Sequence, residues 1–332
     1  MLDNKVVCIT GGTGSFGKGF VEKVIKDYPK IKKLIIFSRD ELKQYEMAEQ
    51  INLNKNKFIR FVIGDVRDKN RLKFAFEDAD IVIHAAALKQ VPTAEYNPFE
   101  FIKTNILGAQ NVIDCSLETN VKKVIALSTD KATAPINLYG ATKLCSDKLF
   151  IAANNVVGKR NLKFSVVRYG NVNGSRGSII PYFLKQKKNG LLTITDPFMT
   201  RFSISLDEGI QMVLDSIRDD IIGGEIFVPK IPSYRILDLA KAICPNCKIK
   251  YIGIRPGEKI HEQMVTENDS LNTFEGKNNY IILPSHNKEK KIFYSDKKKF
   301  KLVPKGFSYN SQNNPHFLTI KEIKNIVKLF SV

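Results

Sequence analysis

The apolar run Val6–Thr10 passes directly into Gly11-Gly12-Thr13-Gly14-Ser15-Phe16-Gly17, and a helix-like segment, Ser15–Lys26, opens inside that glycine-rich stretch. Few folds accommodate this order. Gly11, Gly14 and Gly17 are spaced three apart, so the backbone can turn tightly and approach a bound group closely. A buried strand entering a helix through such a turn is one unit of a parallel sheet. The helix N-terminus adds N–H donors and the positive end of its dipole, which together predict a bound pyrophosphate. An ordinary glycine-rich turn is the alternative, but a strand before and a helix after favour a dinucleotide. The expected contacts are Gly11, Thr13, Gly14, Ser15, Phe16 and Gly17.

The same alternation continues through the first half. Strands are predicted at Val6–Thr10, Leu34–Ser38, Ile59–Gly64, Ile81–Ala85, Val124–Ser128 and Phe164–Tyr169. Helices are predicted at Ser15–Lys26, Glu41–Ile51, Arg67–Phe76, Phe99–Thr119 and Leu138–Asn154. Runs apolar on both faces, separated by helices, predict an α/β doubly wound parallel Rossmann sheet. Right-handed crossovers then bring the strand C-termini, and the ligands, to one edge. After Tyr169 the rhythm breaks. Residues 170–177 form a glycine- and asparagine-rich loop, a helix runs to about Lys188, and Leu206–Ile217 and Glu225–Pro229 add a helix and a strand. The expected division is a cofactor domain at 1–170 and about 204–230, with a smaller α/β substrate domain at about 171–203 and 231–332. The charged stretch Asn287–Lys301 is expected to be a mobile tail.

The second strand ends in Ser38-Arg39-Asp40, with Lys43 beyond. NAD sites usually place a carboxylate at the strand end for the ribose 2′-hydroxyl. Here Ser38 takes that place and Arg39 follows, a pair suited to a 2′-phosphate, so NADP is the expected cofactor. Otherwise Arg39 is solvated and Asp40 only caps the next helix. Asp65-Val66 falls where an adenine amino group would lie, and Ala85-Ala86-Ala87 lets backbone approach the cofactor.

The run Val124-Ile125-Ala126-Leu127 delivers Ser128-Thr129-Asp130-Lys131 to the same edge, followed by Tyr139-Gly140-Ala141-Thr142-Lys143. Tyr139 and Lys143 are four apart and share a helix face. An adjacent ammonium favours phenolate, the form a redox base needs. Asp130 and Lys131 add a second acid–base pair, which simple alcohol oxidation does not require. A solvated ion pair is the alternative for them; their place beside Thr129 and ahead of Tyr139 favours chemistry.

Composition limits the rest. The chain has 332 residues, 43% of them hydrophobic, enough for a large core. No apolar run reaches the roughly 18 residues of a membrane span. The opening Met1-Leu2-Asp3-Asn4-Lys5 does not resemble a secretory signal, so a cytoplasmic protein without membrane contact is expected. The net charge of +18 admits nucleic-acid binding, but no such motif accompanies it, and a lysine-rich surface that steers anionic substrates is the preferred reading. Five scattered cysteines argue against a disulfide framework. Cys244-Pro245-Asn246-Cys247 has metal or redox spacing but no second pair, and is expected to hold two free thiols at a helix end. His84, His261, His286 and His316 form no ligand pattern, so no metal is expected.

Taken together, the glycine spacing and the Tyr139/Lys143 pair resemble the extended short-chain dehydrogenase/reductase family. Within it, the chain is most similar to the inverting UDP-N-acetylglucosamine 4,6-dehydratases of pseudaminic acid biosynthesis, a route to flagellin glycosylation. The likeness runs through Ile9–Gly17, Ser38–Gln44, His84–Pro92 and Ser128–Asp147. It continues in Val167–Val172, in Gly174-Ser175-Arg176-Gly177-Ser178, in Met199-Thr200-Arg201-Phe202 and in Gly253–Lys259. Ser203 departs from a usual tryptophan and is expected to loosen local packing; Cys244 and Cys247 also depart. The resemblance implies that Tyr139, assisted by Lys143, takes the 4-hydroxyl proton while Thr129 holds the same oxygen. It implies a neutral Lys131 that removes the carbon-5 proton and a protonated Asp130 that serves the departing 6-hydroxyl. It assigns Tyr139 and Lys143 to the cofactor site as well, and Lys89, Asn171, Arg201, Arg255 and Glu258 to the substrate. UDP-N-acetylglucosamine is the implied substrate, and a hexamer or dimer the implied homo-oligomer.

Overall fold

The computed structural model describes residues 1–175, 177–218, 221–285 and 287–330; Arg176 and His286, named above, lie outside the described residues. Six parallel strands form the heart of the molecule: β1 (Val6–Thr10), β2 (Lys33–Ser38), β3 (Ile59–Ile63), β4 (Ile81–His84), β5 (Lys123–Thr129) and β6 (Lys163–Tyr169). Their spatial order is β3-β2-β1-β4-β5-β6, followed by the parallel strand Ile226–Pro229. Every residue of β1 and β4 is buried, as two helical layers require. Helices α1 (Ser15–Asp27), α2 (Glu41–Gln50) and α3 (Lys69–Phe76) follow the first three strands. Strand order reverses between β1 and β4, and the crevice opens there.

The sheet is larger than expected. Asn279–Ile282, Thr273–Glu275 and Lys301–Leu302 extend it antiparallel beyond Ile226–Pro229. Residues 273–302 therefore build onto the main sheet rather than the smaller lobe. The charged stretch is structured too. Lys288–Asp296 is helical, and it buries Tyr294, whose hydroxyl donates to Glu225 Oε1 at 3.0 Å. Phe293 packs against the same core, so adjacent aromatic side chains dock a helix that is otherwise largely charged.

A second core gathers Ile180, Phe183, Leu192, Ile194, Leu239, Ile243, Ile323 and Val327. It defines the smaller lobe, where Leu191–Ile194 pairs parallel with Lys248–Tyr251. Cys244 ends the helix Ile236–Ile243, and Cys247 lies one turn on with its Cα 5.4 Å away. That spacing permits bridging, and the two form a disulfide rather than the expected free thiols. Ser203 does not loosen its surroundings: it is buried and donates to Asn173 Oδ1 at 3.1 Å.

The single long helix expected from Phe99 is broken. Pro98–Phe101 is α-helical, Ile102–Leu107 is a π-helix, and Gly108–Glu118 resumes the α-helix. The widened turn carries Asn105, whose side chain accepts from Leu88 N at 2.9 Å and donates to Leu88 O at 2.9 Å and Thr142 Oγ1 at 3.0 Å. A buried amide satisfied on both sides accounts for the local departure from α geometry. Among the described residues no helix is long and apolar enough to cross a membrane, and no group of side chains could hold a metal ion.

Candidate active site

One cleft of about 1080 Å³ joins the glycine turn, the end of β5 and the smaller lobe. At its sheet end, Gly11 has φ +68°, and a Cβ there would stand 2.8 Å from Ala86 Cα. A Cβ on Gly17 would stand 2.3 Å from Gly12 O. These contacts are closer than atoms allow, so both positions demand glycine. Gly14 caps α1 without a side chain, and no acidic residue sits in the helix's first turn. The turn therefore presents bare N–H groups and an uncompensated dipole end, which fit a pyrophosphate. Thr13 and Ser38 join hydroxyls at 2.7 Å across the top of β1 and β2. Asp40 caps α2 and holds Lys43. Arg39 is half exposed, with Nη1 3.7 Å from Asp65 Oδ2. Arg67 binds the same carboxylate at 2.7 Å. All the sequence-predicted cofactor residues, Val66, Ala85 and Ala86 included, line this one cleft.

The second group of residues is built around Lys131. Thr129 ends β5 in extended backbone and Asp130 enters a short 3₁₀ turn. Lys131 Nζ lies 3.0 Å from Asp130 Oδ1, 3.1 Å from Asn171 Oδ1 and 3.4 Å from Glu262 Oε1. Three acceptors thus surround an ammonium that carries three donors. Arg201 Nε lies 3.6 Å from the same Glu262 oxygen, and its Nη1 donates to Thr200 O and Ile260 O. Asp130 has no exposed surface, which removes the solvated-pair alternative. It stands one layer behind the wall, whereas Thr129, Lys131 and Glu262 face the cleft.

Burial raises the Asp130 carboxyl pKa, and the adjacent Lys131 only partly opposes it. Burial disfavours the Lys131 ammonium as well, but Asp130 and Glu262 outweigh it and hold its pKa above the usual lysine range. At rest Asp130 and Glu262 thus favour the charged form of Lys131. Glu262 would be raised by burial, but Lys131, Arg201 and Lys259 carry it below the usual carboxylate range. Lys89 is lowered by burial and by Lys131.

Tyr139 and Lys143 share one face of the helix Leu138–Ala153 and line the cleft. Their electrostatics differ from expectation. Lys143 Nζ donates to Leu127 O at 2.7 Å, and burial lowers its pKa. Burial pushes the Tyr139 phenol up to about 12, against Lys131 and the Thr129 hydroxyl. The charge beside the phenol is therefore that of Lys131, since Lys143 is turned to the backbone. Gly140 explains how the two motifs meet: a Cβ there would stand 2.2 Å from Lys131 O. Only glycine lets the helix bearing Tyr139 lie against the turn bearing Lys131.

Of the expected substrate residues, Lys89, Asn171, Arg201, Arg255 and Glu258 all line the cleft. Arg255 and Glu258 face each other at 3.7 Å near its mouth. Sequence reading missed Glu262 and Lys259, which also line it. Lys259 donates to Thr133 O at 2.5 Å, and Asn137 Nδ2 donates to Gly257 O at 2.8 Å. Both bonds tie the 257–259 segment to the stretch between Lys131 and Tyr139. Lys259 ends a recognisable run; Glu262, three residues on, belongs to no periodic pattern.

Residues 7–284 match the family described as polysaccharide biosynthesis protein. A UDP-N-acetylglucosamine 4,6-dehydratase (inverting) of Campylobacter jejuni is 54% identical, over 98% of this chain and 98% of its own length. A UDP-glucose 4-epimerase of Rickettsia bellii is 43% identical, over 98% of this chain and 96% of its own. The X-ray structure of Pen from Bacillus thuringiensis aligns with a TM-score of 0.89 at 36% identity, covering 99% of both chains. With this fold, this cleft and these relatives, the chain belongs to the polysaccharide biosynthesis protein family, within the extended short-chain dehydrogenases/reductases.

Proposed function

We propose that this protein is an NADP-dependent UDP-N-acetylglucosamine 4,6-dehydratase that inverts carbon 5. The observation that carries this reading is the buried Asp130–Lys131 pair set beside Tyr139 in the cleft that holds the glycine turn. A 54% identical relative bearing that activity supports it. The bare α1 N-terminus fits a pyrophosphate, and Ser38, Arg39 and Lys43 would face a 2′-phosphate. NADP, when bound, would accept hydride from carbon 4 and later return it to carbon 6.

The protein's own groups move the protons. Tyr139, as the phenolate that the neighbouring Lys131 ammonium and the Thr129 hydroxyl favour, takes the proton of the 4-hydroxyl, and Thr129 steadies that oxygen. The resulting ketone acidifies carbon 5. A proton shift from Lys131 to Asp130 along their 3.0 Å contact turns the ion pair into an amine and an acid without changing net charge. Lys131 then removes the carbon-5 proton. Asp130 serves the departing 6-hydroxyl through Thr129 or Lys131, which both touch its Oδ1 at 3.0 Å and face the cleft. A proton from solvent, delivered to carbon 5 on the face opposite Lys131, inverts it, and the protons left on Tyr139 and Lys131 return to solvent and to Asp130. Arg201 and Arg255 suit the diphosphate, while Glu258 suits a sugar hydroxyl. The product is a 6-deoxy-4-keto amino sugar nucleotide, a precursor fit for pseudaminic acid. We assign the enzyme to the cytoplasm as a homo-oligomer, a hexamer or dimer.

A UDP-sugar 4-epimerase is the second reading, favoured by the 43% identical Rickettsia relative. Incubation with UDP-N-acetylglucosamine in heavy water separates the two. A dehydratase gives a product lighter by one water less the mass gained from one deuterium at carbon 5, with a new methyl signal in the proton spectrum. Unchanged product mass, or lasting accumulation of NADPH, would refute the dehydratase reading.

A further inference from the structure

The Lys131 amine is held from two sides by carboxylates of opposite placement. Asp130 approaches from behind, sealed from the cleft, and Glu262 approaches from the cleft wall. Their sequence separation is 132 residues by subtraction of positions 130 and 262, and they reach Lys131 from different parts of the fold. Asn171 closes the third side at 3.1 Å. Glu262 Oε1 also lies 3.6 Å from Arg201 Nε, while its buried Oε2 has no hydrogen-bond partner. A buried carboxylate with a free oxygen on a cleft wall is costly to keep. Its retention calls for a role that a neutral side chain of the same shape would not fill.

We propose that Glu262 is a positioning residue for the acid–base step: it fixes the Lys131 amine in a three-acceptor cradle at the cleft wall and biases both protons of the Asp130–Lys131 pair. This rests on the dehydratase reading. The charged groups facing Glu262 are Lys131, Arg201 and Lys259, with Asp130 beyond Lys131. Lys89 and Tyr139 approach Lys131 from the cleft side. Within this set the Glu262 charge raises the proton affinity of both Asp130 and Lys131. Without it, both members of the pair release protons at lower pH, and the amine loses one of its three anchors.

The test uses the full chain with NADP and UDP-N-acetylglucosamine. Glu262→Gln keeps the shape and removes the charge. It is expected to lower kcat on the order of a hundred-fold through misplacement of the amine, with KM little changed, and to move the kcat–pH profile toward acid by on the order of one unit. Glu262→Asp, which restores the charge, is expected to restore the profile. A Glu262→Gln profile that superimposes on the wild type overturns the proposal. If Glu262→Gln fails to fold, as judged by circular dichroism, Asn171→Ala removes another arm of the cradle. An unchanged kcat and profile in Asn171→Ala would then overturn it. A further readout does not depend on the reaction. A slowly exchanging Lys131 ammonium signal in 15N NMR, identified by its loss in Lys131→Ala, is expected in the wild type and absent in Glu262→Gln. Its persistence in that variant refutes the cradle, whereas a wild type that produces no dehydrated sugar refutes the dehydratase reading alone.

Discussion

Two regions meet in the cleft, and different forces build them. The glycine-turn end is made by backbone: Gly11 and Gly17 allow approaches no Cβ would permit, and Gly14 starts the helix without a side-chain cap. The acid–base end is made by charge: Asp130, Lys131, Glu262 and Arg201 converge from distant parts of the chain. Backbone sites depend on the absence of atoms, so a single methyl breaks them. Charge sites depend on mutual compensation, so each member is replaceable only at the expense of its partners.

Adding one methyl at each end gives the sharpest contrast. Gly17→Ala drives a Cβ to 2.3 Å from Gly12 O, and Gly140→Ala drives one to 2.2 Å from Lys131 O. Overpacking of this kind costs about 1–3 kcal/mol or more. Gly17→Ala is expected to abolish NADP binding in titration calorimetry. Gly140→Ala is expected to keep NADP binding and lose dehydrated product in mass spectrometry. Loss of NADP binding in both would erase the distinction.

Lys131→Ala attacks the charged end alone. Turnover should fall by about 10²–10⁴, with NADP affinity unchanged. Asp130 loses its partner inside the protein, a change that costs about 3–5 kcal/mol in buried pairs, so the melting temperature should fall as well. Wild-type rates of water loss would remove Lys131 from the mechanism.

The two regions should also respond oppositely to pH. His84 lies beneath the glycine turn with Nδ1 2.9 Å from Thr10 Oγ1, and burial lowers its pKa from 6.5 to about 3. The unfolded chain takes up that proton near pH 6.5 and the folded chain does not until about pH 3. Stability is therefore lost as pH falls through this window, on the order of a few kcal/mol. The melting-temperature advantage of wild type over His84→Asn should shrink from pH 6.5 downward. Asp130 has the reverse sign, because its folded pKa lies above the ordinary 3.8. Its contribution is present at low pH and is lost as pH rises through the folded value. Wild type should lose ground to Asp130→Asn over that rise. Parallel curves for either pair would contradict the burial argument.

The smallest effect belongs to neither region. Glu118 binds Lys69 at 2.8 Å and Lys73 at 2.9 Å on the surface. Glu118→Gln should leave the melting temperature and the turnover unmoved at neutral pH, because exposed pairs are screened.

The contrast also explains what the sequence made legible. The glycine turn, the strand rhythm and the Tyr139/Lys143 spacing are local patterns, and local patterns survive in one dimension. Glu262 belongs to no spaced motif in its short segment, and only the fold brings it to Lys131. The π-helical turn at Ile102–Leu107 escaped for a related reason: it depends on Asn105 meeting Leu88 and Thr142, partners outside its own helix. Helical spacing shows that Tyr139 and Lys143 share a face but not where a flexible amine ends, and Lys143 Nζ rests on Leu127 O. Residues 287–301 read as a tail because charge dominates them, while Tyr294, Phe293 and Phe300 secure them against the core.

The links from Asn137 to Gly257 and from Lys259 to Thr133 carry an implication for biosynthesis on the ribosome. A nascent chain halted before residue 257 already contains the whole nucleotide turn, Tyr139 and Lys131, yet lacks the carbonyl, the amine and the carboxylate that complete the reactive end. The two ends of the cleft are thus completed at different moments of synthesis.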